Sequence, residues 1–269
     1  MRQQFLLQPA LVLAISFGVA HGVFAGPPFL TDDPVPVDCG HYELILFSTG
    51  QIAKEFTNLQ IPAAEFNVGA APNLQLHLGV PLVFDTEEGG PRAFGLGDIE
   101  LGAKYRFIQE AEWRPQVSLY PNLELPTGDS GRGLGNGRLW GKLPLWAQKS
   151  WDPWTTYAGG GYVAGANSAV CNRDYFFGGW LLQRDLSEKL TLGGESFAEG
   201  PTMQGEHRTL FLNFGGACNF SKNFSLLFSA GHSILGDPQT VFYIGLYWTW
   251  GGAAEEQATK YARWSLAQR

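Results

Sequence analysis

Between Asn73 and Phe84 the chain reads NLQLHLGVPLVF, with its apolar residues on every second position. Leu74, Leu76, Leu78, Val80 and Leu82 form one set, and Gln75, His77, Gly79 and Pro81 form the other. A strand points successive side chains to opposite sides, so this segment reads as a strand with one wholly apolar face and one polar or small face. The pattern returns in GDIELGAKYRFI, where Ile99, Leu101, Ala103, Tyr105 and Phe107 alternate with Asp98, Glu100, Gly102, Lys104 and Arg106. It returns again in QVSLYPNLEL, with Val117, Leu119, Pro121, Leu123 and Leu125 set against Ser118, Tyr120, Asn122 and Glu124. Charges stacked on one strand face need water or counter-charges, so the polar face cannot be a dry core.

Strands are predicted near 41–52, 60–70, 73–84, 97–108, 116–126, 138–148, 154–164, 174–184, 189–198, 207–218, 224–233 and 240–250. That makes about twelve, each near the roughly ten residues that a tilted membrane-crossing strand requires. Tight links at Ala71-Pro72, Lys149–Pro153, Asp185–Glu188 and Asn219–Asn223 alternate with Gly-rich or longer ones such as DTEEGGPRAFGL and TGDSGRGLGNG. Outer-membrane barrels alternate short periplasmic turns with longer external loops, whereas a soluble sandwich follows no such rule. Composition agrees: 35 Gly, 16 Pro and 14% aromatic residues suit short strands and turns. Charged residues are only 16%, below the soluble average of about 25%. The net charge of -7, without any Lys/Arg cluster, argues against a nucleic-acid partner. The expected fold is all-β, a monomeric antiparallel transmembrane barrel of about twelve strands. Two segments read less clearly: LQIPAAEFNVGA carries Pro62, which belongs at a strand start or bulge, and the facing of WTTYAGGGYVAG cannot be assigned.

The first residues pair one Arg with an apolar core from Phe5 to about Ala20, then place Val23 and Ala25 around Phe24. Residues 1–25 therefore read as a secretory signal peptide cut after Ala25. Residues 26–40 form a periplasmic segment or a partial plug, 41–250 the barrel, and 251–269 a periplasmic tail. Beyond residue 25 no apolar run is long enough for a spanning helix. Cys39, Cys171 and Cys218 allow at most one disulfide, and their spacing matches no zinc pattern.

Five stretches, TDDPVPVDCGHYE, GDIELGAKYRF, LELPTGD, DYFFGGWLLQRDLSEKLTLGGE and FNFGGACNFSKNFSLLFSAGHSI, together resemble the outer-membrane family named for the meta-pathway of phenol degradation. The likeness covers most of the mature chain. It implies a barrel acting as a channel in the outer membrane of a Gram-negative bacterium, with aromatic compounds suggested by the family name, and it supplies no catalytic motif. TVFYIGLYWTW likewise resembles the aromatic-ended closing strand recognised by the barrel-assembly machinery, although a tail of about nineteen residues follows it here.

Candidate chemistry is sparse. Of His41, His77, His207 and His232, only His232 adjoins a hydroxyl nucleophile, Ser233, and neighbours on a strand point to opposite faces. Asp85, Glu87 and Glu88 are too few oxygens to guarantee a hard-cation site and read as a solvated loop. GDSGRGLGNG lacks the Lys-Ser/Thr ending of a phosphate loop and reads as a flexible external loop. No catalytic residue, metal or cofactor is expected, and the chain is not read as an enzyme.

The residues expected to line the lumen are Gln75, His77, Glu100, Lys104, Arg106, Asn122, Glu124 and Lys142. They serve equally as the lining of a pathway or as a network that fills a small bore. A bore of about twelve strands lies between packed and open barrels. The functional expectation is passive diffusion of a small molecule, a hydrophobic or aromatic one in keeping with the resemblance, with outer-membrane lipid, lipopolysaccharide and the assembly machinery as partners. A structural or adhesive barrel working through its loops, and a lipid-modifying enzyme, are the alternatives.

Overall fold

The alternating segments form antiparallel strands that close on themselves. The computed structural model describes residues 27–252, apart from 88–89, 166–173 and 203–206. The strands are β1 (His41–Ala53), β2 (Phe56–Ala71), β3 (Leu74–Glu87), β4 (Ala93–Leu96, continued by Ile99–Ile108) and β5 (Gln116–Leu119, continued by Asn122–Leu125). They continue as β6 (Trp140–Trp151), β7 (Trp154–Ala164), β8 (Tyr175–Ser187), β9 (Leu190–Glu199), β10 (Thr209–Ser221), β11 (Phe224–Leu235) and β12 (Gln239–Gly251). Each strand pairs with its sequence neighbours, and β1 pairs with β12 from His41 opposite Gly251 to Ala53 opposite Gln239. The result is a closed twelve-stranded antiparallel barrel. Closure pairs β1 with β12 and so removes the open edges that a flat sheet would leave.

Two strands are interrupted for identifiable reasons. In β5 the break falls at Tyr120-Pro121, where proline has no N–H to give, and Ala103 and Tyr120 make the bridging bonds to Pro121 O and Pro144 O at 3.1 Å each. In β4 it falls at Gly97-Asp98, and the Gly97 N–H donates to Pro81 O at 2.9 Å. Both halves of β5 pair with β4 and β6, whereas in β4 Ile99–Ile108 pairs on both sides and Ala93–Leu96 pairs with β3 alone. Pro62 lies with Ile61 in a bulge of β2, and both are exposed.

Two-residue turns at Pro72-Asn73, Asp152-Pro153, Glu188-Lys189 and Lys222-Asn223 mark one end of the barrel. Asn73 takes the left-handed conformation there, at φ 64°. Because these turns consume so little chain, β6, β8 and β10 each run three residues past their predicted ends. The opposite end carries the longer loops, including 126–139, yet β1 and β2 are joined there by Lys54-Glu55 alone. Loop length therefore follows the alternation less strictly than expected.

Leu76, Leu78, Leu101, Leu123, Leu143 and Leu145 are exposed on the exterior, as a hydrocarbon-facing wall requires. At the short-turn end Tyr42 stacks on Phe66 and Trp250, with ring centroids 6.1 and 5.8 Å away. Trp248 stacks on Phe224 at 4.9 Å. This is the exterior of an outer-membrane barrel, with its aromatic residues gathered near a boundary. No helix among the described residues is long and apolar enough to cross a membrane.

Candidate functional site: the bore and the segment that crosses it

The inner wall is divided. From β1 to β6 it presents Glu43, Glu65, Asn67, Gln75, His77, Glu100, Lys104, Asn122, Glu124 and Lys142, and from β7 to β12 mainly Tyr157, Leu181, Phe197, Phe211, Ala217, Leu227, Val241 and Tyr243. The expected alternation holds on the second half, but its inward positions carry aromatic and aliphatic side chains and glycines beside uncharged polar ones such as Thr191, Asn213 and Ser225, with Glu195 buried among them. WTTYAGGGYVAG becomes assignable once paired: Thr155, Tyr157 and Val163 are buried, while Tyr162 is exposed. Trp146 lies against Gly159, where an added Cβ would come 2.6 Å from its ring.

Residues 27–40 run through the bore between these half-walls. At one side Ser229 donates to Pro28 O, and the Glu195 carboxylate accepts the backbone N–H groups of Leu30 and Thr31. At the other, Ser118 donates to Pro34 O, and the Val37 N–H donates to Gln75 Oε1 at 2.9 Å. Lys104 reaches Asp32 at 3.2 Å and Asp33 at 3.7 Å, and its ammonium lies 4.8 Å from the centre of the Tyr120 ring. Two glycines make room. A Cβ at Gly179 would lie 1.9 Å from Thr31 Oγ1, and one at Gly69 would lie 1.9 Å from Asp38 O. Thr31, Asp33 and Pro34 are fully buried. Burial pushes the Asp33 carboxyl up to about 8, with Lys104 pulling the other way.

Seven of the eight residues expected to line the lumen fall into three groups. His77 sits between Glu65, 3.4 Å from Nδ1, and Glu100, 3.1 Å from Nε2, with Asn67 Oδ1 at 2.9 Å. Lys142 joins Glu100 at 2.7 Å to Glu124 at 3.5 Å, beside the buried Asn122. Gln75 and Lys104 hold the crossing segment. Arg106 stands apart, nearer the short-turn end, bonded to Asn73 Oδ1 at 2.9 Å and Gln116 Oε1 at 3.0 Å. Glu43, Glu65 and Glu195 were absent from that set. Glu43 and Glu195 lie on inward positions of alternating segments, HYELILF and LTLGGESF, where the same period would have found them. Glu65 follows the Pro62 bulge, which breaks the count.

The other candidates resolve separately. His232 Nδ1 is 3.0 Å from Thr240 Oγ1, whereas Ser233 bonds Asp237 O and the Gln239 N–H at 2.8 Å, so the two side chains do not engage each other. Asp85 accepts from Asn58 at 2.8 Å; Glu88 and the Glu87 side chain lie outside the described residues. The loop 126–139 is tied down rather than free. Asp98 accepts from the Gly128 and Asn136 N–H groups at 2.9 and 2.7 Å, and Leu134 packs with Val83 and Ala93. Cys39 and Cys218 are free thiols, while Cys171, residues 1–26 and the tail from 253 lie outside the described residues.

Three cavities adjoin along the charged half-wall. One of about 290 Å³ lies between the crossing segment and His77, and includes Glu43, Phe47, Trp146, Phe177 and Tyr243. A second of about 90 Å³ shares Glu65, His77 and Glu100 with it. A third of about 330 Å³ shares Gln60, Pro81, Asp98 and Glu124 with the second and reaches loop residues 133–136. The row leads from the crossing segment toward the long-loop end.

Residues 56–249 match the family model described as "Putative MetA-pathway of phenol degradation". The chain belongs to this family. Among solved structures, this phenol-degradation family member is similar to the COG4313 outer membrane channel from Pseudomonas putida F1, with a TM-score of 0.61 at 15% identity, over 81% of this chain and 97% of that one. It is also similar to the KdgM porin, with a TM-score of 0.52 at 11% identity, over 76% of this chain and 98% of that one. For the NanC porin the TM-score is 0.53 at 6% identity, over the same 76% and 98%. At these identities the likeness is one of fold. No curated protein matches this phenol-degradation family member.

Proposed function

We propose that this phenol-degradation family member is a passive outer-membrane channel for a small apolar or aromatic molecule. The observation that carries the reading is the row of adjoining cavities, lined along its length by carboxylates and amines and, where it meets the crossing segment, also by Phe47, Trp146, Phe177 and Tyr243. Polar groups keep such a path hydrated, while ring faces give an apolar solute a surface to slide along. The solute would cross the short-turn end where residues 27–40 now lie, so passage requires that segment to shift. The eight residues expected from the sequence would then line the path or hold the segment. The similarity to a named outer membrane channel supports the same reading.

In this scheme residues 1–25 direct export, and the aromatic-ended β12 is the element presented to the assembly machinery. Lipid and lipopolysaccharide contact the leucine-rich exterior. Purified full-length protein in planar bilayers should give discrete conductance steps, and protein-bearing liposomes should take up a lipid-impermeant aromatic such as a phenyl glucoside faster than empty ones. Silence in both assays would remove the channel reading.

A further inference from the structure

The charges around the bore are unequal in a way that bears on which solutes pass, taking the channel reading as the premise. The basic groups of the inner wall are committed. Lys104 is held by Asp32 and Asp33, Lys142 by Glu100 and Glu124, and His77 by Glu65 and Glu100. Arg106, toward the short-turn end, is bonded by two side-chain carbonyls. With residues 27–40 docked, an entering anion therefore meets no unengaged cation along the row of cavities among the described residues, and a shift of the segment uncovers Lys104 and Glu195 together, one charge of each sign. Carboxylates, in contrast, are in surplus. Glu195 is bonded by the N–H groups of Leu30 and Thr31 and by Asn213, with no basic partner among the described residues.

Glu43 is the more exposed case to a solute. It lines the cavity of about 290 Å³, accepts from the Tyr247 hydroxyl and from Asn67 at 3.4 Å, and makes no ion pair among the described residues. The same cavity is also lined by the rings of Phe47 and Tyr243, stacked with centroids 5.2 Å apart, and by those of Trp146 and Phe177, 6.3 Å apart. Ring faces carry negative charge density and attract cations, so these rings reinforce the carboxylate. In a narrow, low-dielectric bore fixed charges act strongly on a solute within a few ångströms.

We infer that the bore passes neutral and cationic small organic solutes and excludes organic anions, with Glu43 as the residue that sets the preference. The class fits an aromatic alcohol or an organic ammonium ion and rejects an aromatic carboxylate of the same size.

The test uses the full-length protein at pH 8 in planar bilayers under a KCl gradient, with flux of benzyltrimethylammonium and benzenesulfonate into liposomes as a second arm. Both organic ions are permanently charged and closely matched in size. Potassium should be favoured over chloride, and benzyltrimethylammonium over benzenesulfonate, by about fivefold or more. Glu43→Gln should at least halve that ratio without abolishing conductance. Equal permeabilities, or a preference for chloride and benzenesulfonate, would overturn the inference and leave the channel standing. An unchanged ratio in Glu43→Gln would remove Glu43 from it. If no ion passes at all, the channel reading itself fails and takes the inference with it. The wild-type ratio decides the exclusion of anions even if the variant does not fold.

Discussion

Glu195 on β9 holds Thr31 by its backbone: the carboxylate accepts the Thr31 N–H and, through its other oxygen, the Leu30 N–H at 3.2 Å. The segment that crosses the bore is thus fastened to the apolar half-wall by main-chain bonds, and to the charged half-wall by Lys104 and Gln75. A bond to a charged group contributes about 1.5–3 kcal/mol, so each one lost shifts the ratio of docked to undocked segment by about 10- to 100-fold. Glu195→Ala should therefore raise the open fraction and the mean conductance in planar bilayers. Conductance identical to wild type would mean that the segment does not limit passage.

Asp33 makes the docked state pH-dependent. Its carboxyl is pushed up to about 8 by burial, from an ordinary value of 3.8, so docking favours the protonated form. The docked segment is then most stable below about pH 4, loses stability as pH rises toward 8, and changes little above that. Conductance should increase over this window, and Asp33→Asn should flatten the increase. Recording single channels at several pH values with both proteins checks the sign, and a rise in conductance on acidification would contradict it.

Lys142 keeps Glu100 and Glu124 apart by pairing with both. Lys142→Met leaves two carboxylates facing each other in a partly buried site, which should cost about 1–3 kcal/mol after allowance for solvent screening. Adding Glu124→Gln to that variant should restore part of the loss. Urea unfolding in lipid vesicles, run as a double-mutant cycle, measures both terms; additive losses would show that the pair does not act as a unit.

Leu145, exposed on the exterior of β6, should face hydrocarbon. Leu145→Arg is expected to cost about 2–4 kcal/mol if the residue sits near the bilayer midplane, whereas Leu145→Phe should cost little. Heat-modifiable gel mobility combined with urea titration in vesicles reports this. An Arg variant as stable as the Phe one would place that face outside the membrane.

The lining residues show how far local pattern reaches. Gln75, His77, Glu100, Lys104, Asn122 and Glu124 were legible because each sits on the polar side of a strict two-residue period, a property of the strand alone. Glu65 was hidden by the Pro62 bulge, which inserts residues and resets the count. Asp32 and Asp33 belong to no strand, so no period points to Lys104, more than seventy residues away in sequence, as their partner.

The sequence by itself therefore determined an outer-membrane barrel of about twelve strands, the placement of most turns, and, for the strictly alternating segments, the face that carries the charges, because strand geometry converts alternation directly into two opposed surfaces. Tertiary structure alone decided that β7 to β12 turn a mainly apolar, glycine-notched wall inward, that residues 27–40 pass between it and the charged half, and that Glu43 is left without an ion pair among the described residues. Each of these depends on closing the barrel, which brings together groups such as Thr31 and Glu195 that lie 164 positions apart and whose attraction has no trace in local sequence.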